Sequence, residues 1–233
     1  MRIIYRIADK GYDKVKPDYV NNESCLANAT KIFKNAHWSI LADNISSETN
    51  DMIQRYHPRS EISYLEVGHG GGTFNIALNE ALSYNDDEII YFLEDDYLHR
   101  PNSDKVLEDI FNDYQIDFVS LYDHPDKYEV EDPELTKVYS TNYCHWKLVK
   151  STTMTFAAKV KTLKENEEIL RKHTNGSHPH DALMFEELNK NGKLLVTPIP
   201  GYSTHGETRY LAPHINWKKI ADDNELRSYV NVL

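Results

Sequence analysis

Cysteine is scarce in this chain. Cys25 and Cys144 are the only two among 233 residues, and they form no CxxC pair or other spacing typical of a metal site. We therefore expect reduced core thiols and a reducing compartment. The sequence also lacks an apolar run long enough to span a membrane, and its first residues, MRIIYRIAD, are too short and too charged for a secretory signal. These absences predict a cytoplasmic protein without a membrane span.

Positive charge is also in short supply. Acidic residues outnumber lysine and arginine by 37 to 26, which gives a net charge of −11 and a pI near 5.4. Nucleic-acid binding requires clustered lysine and arginine to neutralise phosphates, so we expect no nucleic-acid partner. An anionic ligand carried by a metal ion is still compatible with this charge. Hydrophobic residues make up 40% of the chain, enough at this length for one large α/β domain.

Strands and helices alternate in the first hundred residues. Apolar runs predict the strands, and apolar residues at helical spacing predict the helices between them. The predicted order is strand 2–8, helix 21–35, strand 38–42, helix 46–56, strand 62–67, helix 73–83 and strand 88–93. This alternation predicts a Rossmann-like, mostly parallel sheet flanked by helices.

The second half is less regular. Its predicted elements are a strand at 118–122, a polar loop at 123–136, one or two antiparallel strands within 147–160, helices at 163–173 and 180–190, a strand at 193–198, and a mixed, partly helical tail at 215–233. No convincing linker interrupts the sequence, which predicts a single domain over residues 1–233.

The most informative stretch is the apolar run 89–93, which ends in the adjacent acids Glu94, Asp95 and Asp96. Such a run is typical of a buried strand in a parallel sheet, and open α/β sheets bind ligands beyond the carboxyl ends of their strands. Three adjacent carboxylates repel one another unless a cation or hydrogen-bond donors meet them. A hard divalent ion shared with phosphates is the natural partner, and a solvated acidic turn is the alternative.

A glycine-rich turn, residues 68–72, joins the third predicted strand to the next helix. Its backbone N–H groups can face a phosphate or a ribose. Residues 65–72 resemble the first motif of methyltransferases that bind S-adenosylmethionine, in which Glu94 would hold the ribose. Residues 69–72 also resemble an esterase oxyanion turn, but the chain has no Gly-x-Ser-x-Gly elbow, which excludes an esterase.

The order of these elements, followed by Phe-Leu-Glu-Asp-Asp at 92–96, resembles the nucleotide-sugar glycosyltransferases with the GT-A fold. The Glu-Asp-Asp form followed by Pro101 is similar to the N-acetylglucosaminyltransferases of that type, and the helix at 73–82 is similar to one in family-two glycosyltransferases. Ser-Thr-His-Gly at 203–206 resembles the late Ser-His-Gly of the same enzymes, near the donor diphosphate. The resemblance covers residues 1–210.

This resemblance implies a nucleotide-binding half at 1–101, an acceptor-side half at 102–215 and a C-terminal tail at 216–233. It also implies Mn²⁺ or Mg²⁺, with Asp96 as the direct ligand and His205 as a further ligand or a diphosphate donor. Asp95 would contact the ribose or a metal-bound water, and Glu94 would order the site. As a surface acid, Asp96 should contribute little to stability.

Further donor-binding residues are predicted at strand ends and beside the glycine turn. The first two predicted strands end near Arg6, Asp9 and Asp43, and their edges converge with the edge of strand 88–93 in this architecture. These three side chains would frame the base and the ribose. The remaining predictions are Gly70 and Asn75, near the start of the third helix, and Arg209, which would reach the diphosphate.

Inverting sugar transfer also needs a base for the acceptor hydroxyl. Asp181 lies in the first turn of the predicted helix 180–190, and the resemblance favours it because relatives carry an acid there. The alternative is a helix N-terminal acid stabilised by the helix dipole, which would depress its pKa. Glu186 and Glu187 are reserve candidates, although a solvated helix face also explains them.

These inferences predict a metal-dependent, inverting glycosyltransferase. The sugar would pass from a UDP- or GDP-sugar to a glycan or glycolipid acceptor, with the metal offsetting the charge of the leaving diphosphate. Two alternatives stay open: an S-adenosylmethionine-dependent methyltransferase, and a non-catalytic module of the same fold that binds sugar or nucleotide.

Overall fold

The computed structural model describes residues 1–128 and 136–228, so residues 129–135 of the predicted loop and 229–233 of the predicted tail lie outside it. The first half follows the predicted alternation. Its elements are β1 (Arg2–Ala8), α1 (Asn22–Ile32), β2 (His37–Asp43), α2 (Ser47–Gln54), β3 (Ile62–Leu65), α3 (Gly70–Leu82) and β4 (Ile89–Glu94). The third helix begins inside the glycine turn rather than after it, because His69 caps it.

The second half contains more elements than the sequence predicts. They are β5 (Tyr97–His99), α4 (Ser103–Asp113), β6 (Phe118–Val119), β7 (Val138–Ser140), β8 (His145–Leu148), β9 (Phe156–Lys159), α5 (Val160–Glu165), α6 (Glu167–Thr174), α7 (Asp181–Lys190), β10 (Leu195–Ile199), β11 (Ser203–His205) and α8 (Trp217–Ser228). The single helix predicted at 163–173 is wrong, because the chain breaks at Asn166 into α5 and α6. Helix α4 is not predicted at all.

In the described part of the chain, nine strands form one mixed sheet in the order β3-β2-β1-β4-β9-β6-β10-β8-β7. The strands β3, β2, β1 and β4 are parallel, whereas β9 runs antiparallel between β4 and β6. A separate two-stranded ladder pairs β5 with β11. The predicted α/β class, a Rossmann-like sheet flanked by helices, is confirmed. None of the helices in the described part of the chain is both long and apolar enough to cross a membrane.

Both faces of the sheet are buried. Along β4, Tyr91 and Leu93 pack into the core on the side of α1, while Ile90 and Phe92 pack on the side of α3 and α7. Successive side chains of a strand point to opposite faces, so a strand covered on both sides is a continuous apolar run. By the same alternation Glu94 follows Ile90 and Phe92 onto the α3 side, which fixes where the acidic motif emerges from the core.

The α3-side core should depend strongly on Phe156, whose ring contacts the rings of Phe74, Phe92, Phe118 and Phe185. We expect Phe156→Ala to lower the free energy of unfolding by about 3–5 kcal/mol, because a buried aromatic ring is lost and a cavity remains. Urea unfolding followed by circular dichroism measures this change.

The matched control is Leu183→Ala on α7, where the side chain is 55% exposed. This variant should change the unfolding free energy by less than about 0.5 kcal/mol. Equal effects of the two substitutions would contradict the described packing of the aromatic cluster.

Candidate functional site

The acidic motif lies at the carboxyl edge of the parallel strands. β4 ends at Glu94, and Asp95 and Asp96 form the turn into β5. The β5–β11 ladder sets His205 opposite Tyr97. As a result His205 Nε2 lies 3.2 Å from Asp96 Oδ2. The structure therefore brings together the two residues that the sequence predicts as a cation site.

Gly206 makes this approach possible. A Cβ atom at this position would lie 2.7 Å from the backbone oxygen of Asp96 and 2.4 Å from Val20 Cγ1. Any larger residue would push the end of β11 away from the acidic turn. The glycine of the Ser-Thr-His-Gly motif thus serves close backbone packing, and that packing holds His205 beside Asp96.

Glu94 is neutralised by Arg6, its direct neighbour in the register of β1 and β4. Arg6 Nη2 lies 3.1 Å from Glu94 Oε1, and the Thr155 hydroxyl donates to Oε2 at 3.2 Å. The buried guanidinium also donates to the carbonyl oxygens of Gly70 and Met154, each at 3.3 Å. Arg6 therefore ties the end of β4 to the start of α3.

Asp95 has the least compensation of the three acids. Its Oδ2 accepts a hydrogen bond from the backbone N–H of Ala8 at 2.9 Å. Burial, together with the negative charge of Asp96, raises the pKa of Asp95 to about 7. A carboxyl group with this pKa is partly protonated near neutral pH and can then donate a hydrogen bond as well as accept one.

Asp96 is only 3% exposed, so the expectation of a surface acid is wrong. Its Oδ2 lies 2.7 Å from the Lys14 ammonium nitrogen, which in turn lies 3.0 Å from His205 Nε2. Burial alone would raise the pKa of Asp96, but the hydrogen bond and charge of His205 and the charge of Lys14 outweigh burial and lower it. Asp96 is therefore ionised at neutral pH.

The donor set around Asp96 fits a cation shared with a ligand rather than one held by protein alone. Among the residues that the structure describes, no three His, Cys, Asp or Glu side chains are grouped to hold a metal ion. Asp96 Oδ1, however, is buried and has no hydrogen-bond partner, and His205 offers an imidazole nitrogen beside Oδ2. A magnesium site commonly combines one or two carboxylates with substrate phosphates and water.

Asp181 lies in the first turn of α7, close enough to Glu94 for the two charges to interact. The prediction that the helix N-terminus depresses the pKa of Asp181 is wrong. Burial and the charge of Glu94 raise this pKa, and they outweigh the hydrogen bond from the Ala182 backbone N–H. The reserve candidates Glu186 and Glu187 form ion pairs with Lys190 and Lys172 on the outer face of α7.

Two predicted donor-binding acids are engaged in holding loops. Asp9 accepts from the backbone N–H of Ser46, directly before α2. Buried Asp43 accepts from the backbone N–H groups of Val67 and Gly68 at 2.7 and 2.8 Å. Both carboxylates therefore fix the segments that follow β2 and β3, and neither of them contacts the Asp96–His205 pair.

The glycine turn is built for close packing. A Cβ at Gly71 would lie 2.0 Å from the carbonyl oxygen of Gly176, in the loop after α6. The N–H of Gly71 donates to the carbonyl of Ser177, and the N–H of Gly72 donates to His69 Nδ1. Because protein acceptors already satisfy these two N–H groups, the turn does not present them to a phosphate or a ribose.

The other predicted donor-binding residues have the following partners. Asn75 donates to the carbonyls of Gly71 and Thr174 and accepts from Arg171, so its amide joins α3 to α6. Arg209 is exposed and lies over the ring of Tyr210. Gly70 contributes its carbonyl oxygen to Arg6.

Lys14 and Thr155 contact the acidic turn but were not predicted from the sequence. Lys14 belongs to residues 9–20, which connect β1 to α1. A usable signal was present, because Lys10, Lys14 and Lys16 follow the end of β1, and a parallel sheet places that end beside the end of β4. Thr155 contacts Glu94 because β9 pairs with β4 in an antiparallel register. No local sequence pattern predicts that register.

Comparison with known proteins defines the fold. No known family model matches the sequence, and no curated protein does so either. Among solved structures, apo UDP-glucose pyrophosphorylase is similar over 100% of this chain and 99% of its own, with 12% identity and a TM-score of 0.52. A nucleotidyl transferase from Methanothermobacter (Mth528) is similar over 97% and 98%, with 8% identity and a TM-score of 0.50.

Staphylococcus aureus TarS is similar over 87% of this chain, with 13% identity and a TM-score of 0.51, but this chain spans only 36% of TarS. At these identities the likeness establishes a shared α/β architecture. Function must be argued from the side chains at the edge of the sheet.

The raised pKa of Asp95 predicts a specific dependence of stability on pH. The folded carboxyl keeps its proton up to about pH 7, whereas the unfolded one loses it near pH 4. Between these values the folded state binds more protons, so this group makes stability fall as pH rises, with a limiting slope of about 1.4 kcal/mol per pH unit. In Asp95→Asn this contribution is lost.

The unfolding free energy of Asp95→Asn, relative to the parent protein, should therefore rise between pH 4 and 7 and level off above pH 7. Urea unfolding at several pH values measures the difference between the two proteins. A difference that stays constant over this range would show that Asp95 titrates like an ordinary carboxyl group.

Proposed function

We propose that this protein transfers a sugar from a nucleotide-diphosphate sugar to a hydroxyl group of a glycan or glycolipid acceptor. The observation that carries the proposal is the grouping of Asp96 with His205 at the carboxyl edge of β1 and β4, with Asp181 near the adjacent Glu94. This edge is where open α/β sheets bind their ligands. Sugar transfer requires charge compensation for a leaving diphosphate and a base for the acceptor, and these residue types can supply both.

On the donor side, Asp96 and His205 would hold Mn²⁺ or Mg²⁺ together with the diphosphate. The unpartnered buried oxygen of Asp96 supports this role, since it leaves a ligand position that no described residue fills. When bound, such an ion offsets the negative charge that develops on the leaving group. Asp95 would contact the ribose, with its partly retained proton available to a hydroxyl oxygen. Arg6 would keep Glu94 in place through their ion pair and would not itself bind the donor.

On the acceptor side, Asp181 would take the proton of the attacking hydroxyl. Burial and the charge of Glu94 raise the pKa of Asp181, which makes it a stronger base than an ordinary aspartate. Attack from the side opposite the leaving diphosphate would invert the anomeric configuration. Glu186 and Glu187 are weaker candidates because their ion pairs on the outer face of α7 lower the pKa of each.

Nucleotidyl transfer is a second candidate. The chain is similar along its full length to a nucleotidyl transferase and to UDP-glucose pyrophosphorylase, and the latter is by its name an enzyme of nucleotide sugars. Such a reaction would release pyrophosphate from a nucleoside triphosphate. The two candidates are separated by the product, because sugar transfer releases a nucleoside diphosphate.

The methyltransferase alternative has lost its main support, since the N–H groups of Gly71 and Gly72 donate to protein acceptors. A non-catalytic binding module would bind nucleotide but show no turnover with any acceptor. Tight binding of S-adenosylmethionine, measured by calorimetry, would support the methyltransferase alternative.

We predict that UDP or GDP binds in the presence of Mn²⁺ and that Asp96→Asn weakens this binding at least tenfold. The substitution keeps the side-chain shape but removes the charged ligand. Isothermal titration calorimetry with and without Mn²⁺ gives both affinities. The control is Asp87→Asn, an exposed acid directly before the opposite end of β4.

The control variant should bind nucleotide like the parent protein. Unchanged nucleotide affinity in Asp96→Asn, or equal losses in both variants, would remove Asp96 from the donor site.

We predict that Asp181→Asn lowers kcat by about two to four orders of magnitude, the usual contribution of a general base, and leaves donor affinity nearly unchanged. In the parent protein kcat should fall as pH drops through the raised pKa of Asp181, because only the ionised form accepts a proton. Release of nucleoside diphosphate from the donor measures the rate.

Glu186→Gln on the same helix is the matched control, and its rate should equal that of the parent protein. The base would be another residue if Asp181→Asn lowered kcat less than tenfold, or if kcat of this variant still fell as the pH dropped.

A further inference from the structure

Lys14 occupies the position between the two predicted cation ligands. Its ammonium nitrogen lies 2.7 Å from Asp96 Oδ2 and 3.0 Å from His205 Nε2, and those two atoms are 3.2 Å apart. The three atoms form a triangle whose sides are all close to hydrogen-bond length. A divalent ion bound to the same oxygen and nitrogen needs distances of about 2.0–2.2 Å to each. His205 Nε2 has a single lone pair. An ion that binds this nitrogen and Asp96 Oδ2, alone or together with the unpartnered Oδ1 of Asp96, therefore cannot share the place with the ammonium group.

The Lys14 side chain is 24% exposed, and its ammonium group forms an ion pair with Asp96. The protein thus carries its own cation at the most acidic point of the sheet edge. This arrangement explains how Asp96 stays ionised when no ligand charge is nearby.

Two contacts from exposed residues flank Lys14. On one side of Lys14, the ring of Tyr12 packs 4.7 Å from the ring of His178, in the loop before α7. On the other side, the carbonyl of Val15 accepts a hydrogen bond from the N–H of Thr208 at 2.8 Å. Tyr12 and Val15 are both exposed, at 51% and 77%. Lys14 can therefore leave Asp96 without unpacking either hydrophobic core.

We infer that Lys14 is a built-in cation that holds the Asp96–His205 pair in the unliganded protein, and that a divalent ion arriving with a nucleoside diphosphate replaces it there. This inference rests on the proposed function, because the ion and the diphosphate are those of the donor. A metal ion alone must displace a paired ammonium group and separates that group from the carboxylate it contacts directly. A diphosphate supplies new anionic acceptors for the displaced Lys14, so metal and nucleotide should bind cooperatively.

The test measures Mn²⁺ affinity by isothermal titration calorimetry, first without nucleotide and then with saturating UDP, on the full chain. Lys14→Gln removes the competing charge and should bind Mn²⁺ alone at least tenfold more tightly than the parent protein. Lys16→Gln makes the same change in net charge two residues away, where the lysine acts on Asp95 and has no contact with Asp96 Oδ2, so it should tighten Mn²⁺ binding by much less than Lys14→Gln. Lys14→Arg keeps a cation in place and should retain the weak metal affinity.

Cooperativity provides the second readout. In the parent protein and in Lys16→Gln, UDP should raise Mn²⁺ affinity by a larger factor than in Lys14→Gln, where there is no ammonium group to displace.

Thermal unfolding provides the third readout, because Lys14→Gln leaves the negative charge of Asp96 without its lysine partner. Its melting temperature without metal should lie below that of Lys16→Gln, and Mn²⁺ should restore it.

Equal Mn²⁺ affinities in the parent, Lys16→Gln and Lys14→Gln would overturn the inference while leaving the proposed function standing. Metal-independent UDP binding that disappears in Lys14→Gln would also overturn it, because Lys14 would then be a permanent diphosphate ligand. If none of the variants binds UDP or GDP under any condition, the proposed function itself fails.

Discussion

The repulsion among three adjacent carboxylates at the end of β4 is the constraint around which this structure is organised. The repulsion on each carboxylate is offset in a different way. Glu94 has a buried arginine, Asp95 has a backbone N–H and a retained proton, and Asp96 has Lys14 and His205. The groups that provide relief come from β1, from residues 9–20 and from β11. The strand pairing of β1 with β4 and of β5 with β11 sets these groups beside the acids, where they offset the repulsion.

Sequence patterns predicted this edge because they reflect short-range rules. A strand buried on both faces is continuously apolar, so the run before Glu94 identified β4 without any knowledge of its neighbours. The alternation of strands and helices predicted a parallel sheet, and a parallel sheet favours the edge at the carboxyl ends of its strands as the place for a ligand. The pairing of Asp96 with His205 came only from a resemblance, since no local rule connects residues so far apart in sequence.

The remaining features of the site depend on tertiary contacts that cannot be predicted from the sequence. Asp9 and Asp43 follow strand ends as Asp96 does, yet their oxygens accept backbone N–H groups of neighbouring loops. A strand-end acid is therefore equally suited to holding a loop and to holding a ligand, and only the fold decides between them. Helix α4 was missed for another reason. Its buried residues Val106, Leu107, Ile110 and Phe111 have helical spacing, so the signal was available and was overlooked.

The short ladder between β5 and β11 has a consequence for the timing of synthesis. Strand β5, which directly follows the acidic turn, pairs with strand β11, which carries the histidine. The two strands are far apart in sequence, so their contact requires the whole intervening segment. Contacts of such long sequence separation form late in folding. A nascent chain that has emerged only as far as Asp96 contains all three acids together with Arg6 and Lys14 but not His205. The Asp96–His205 pair can therefore form only after residue 205 has been translated.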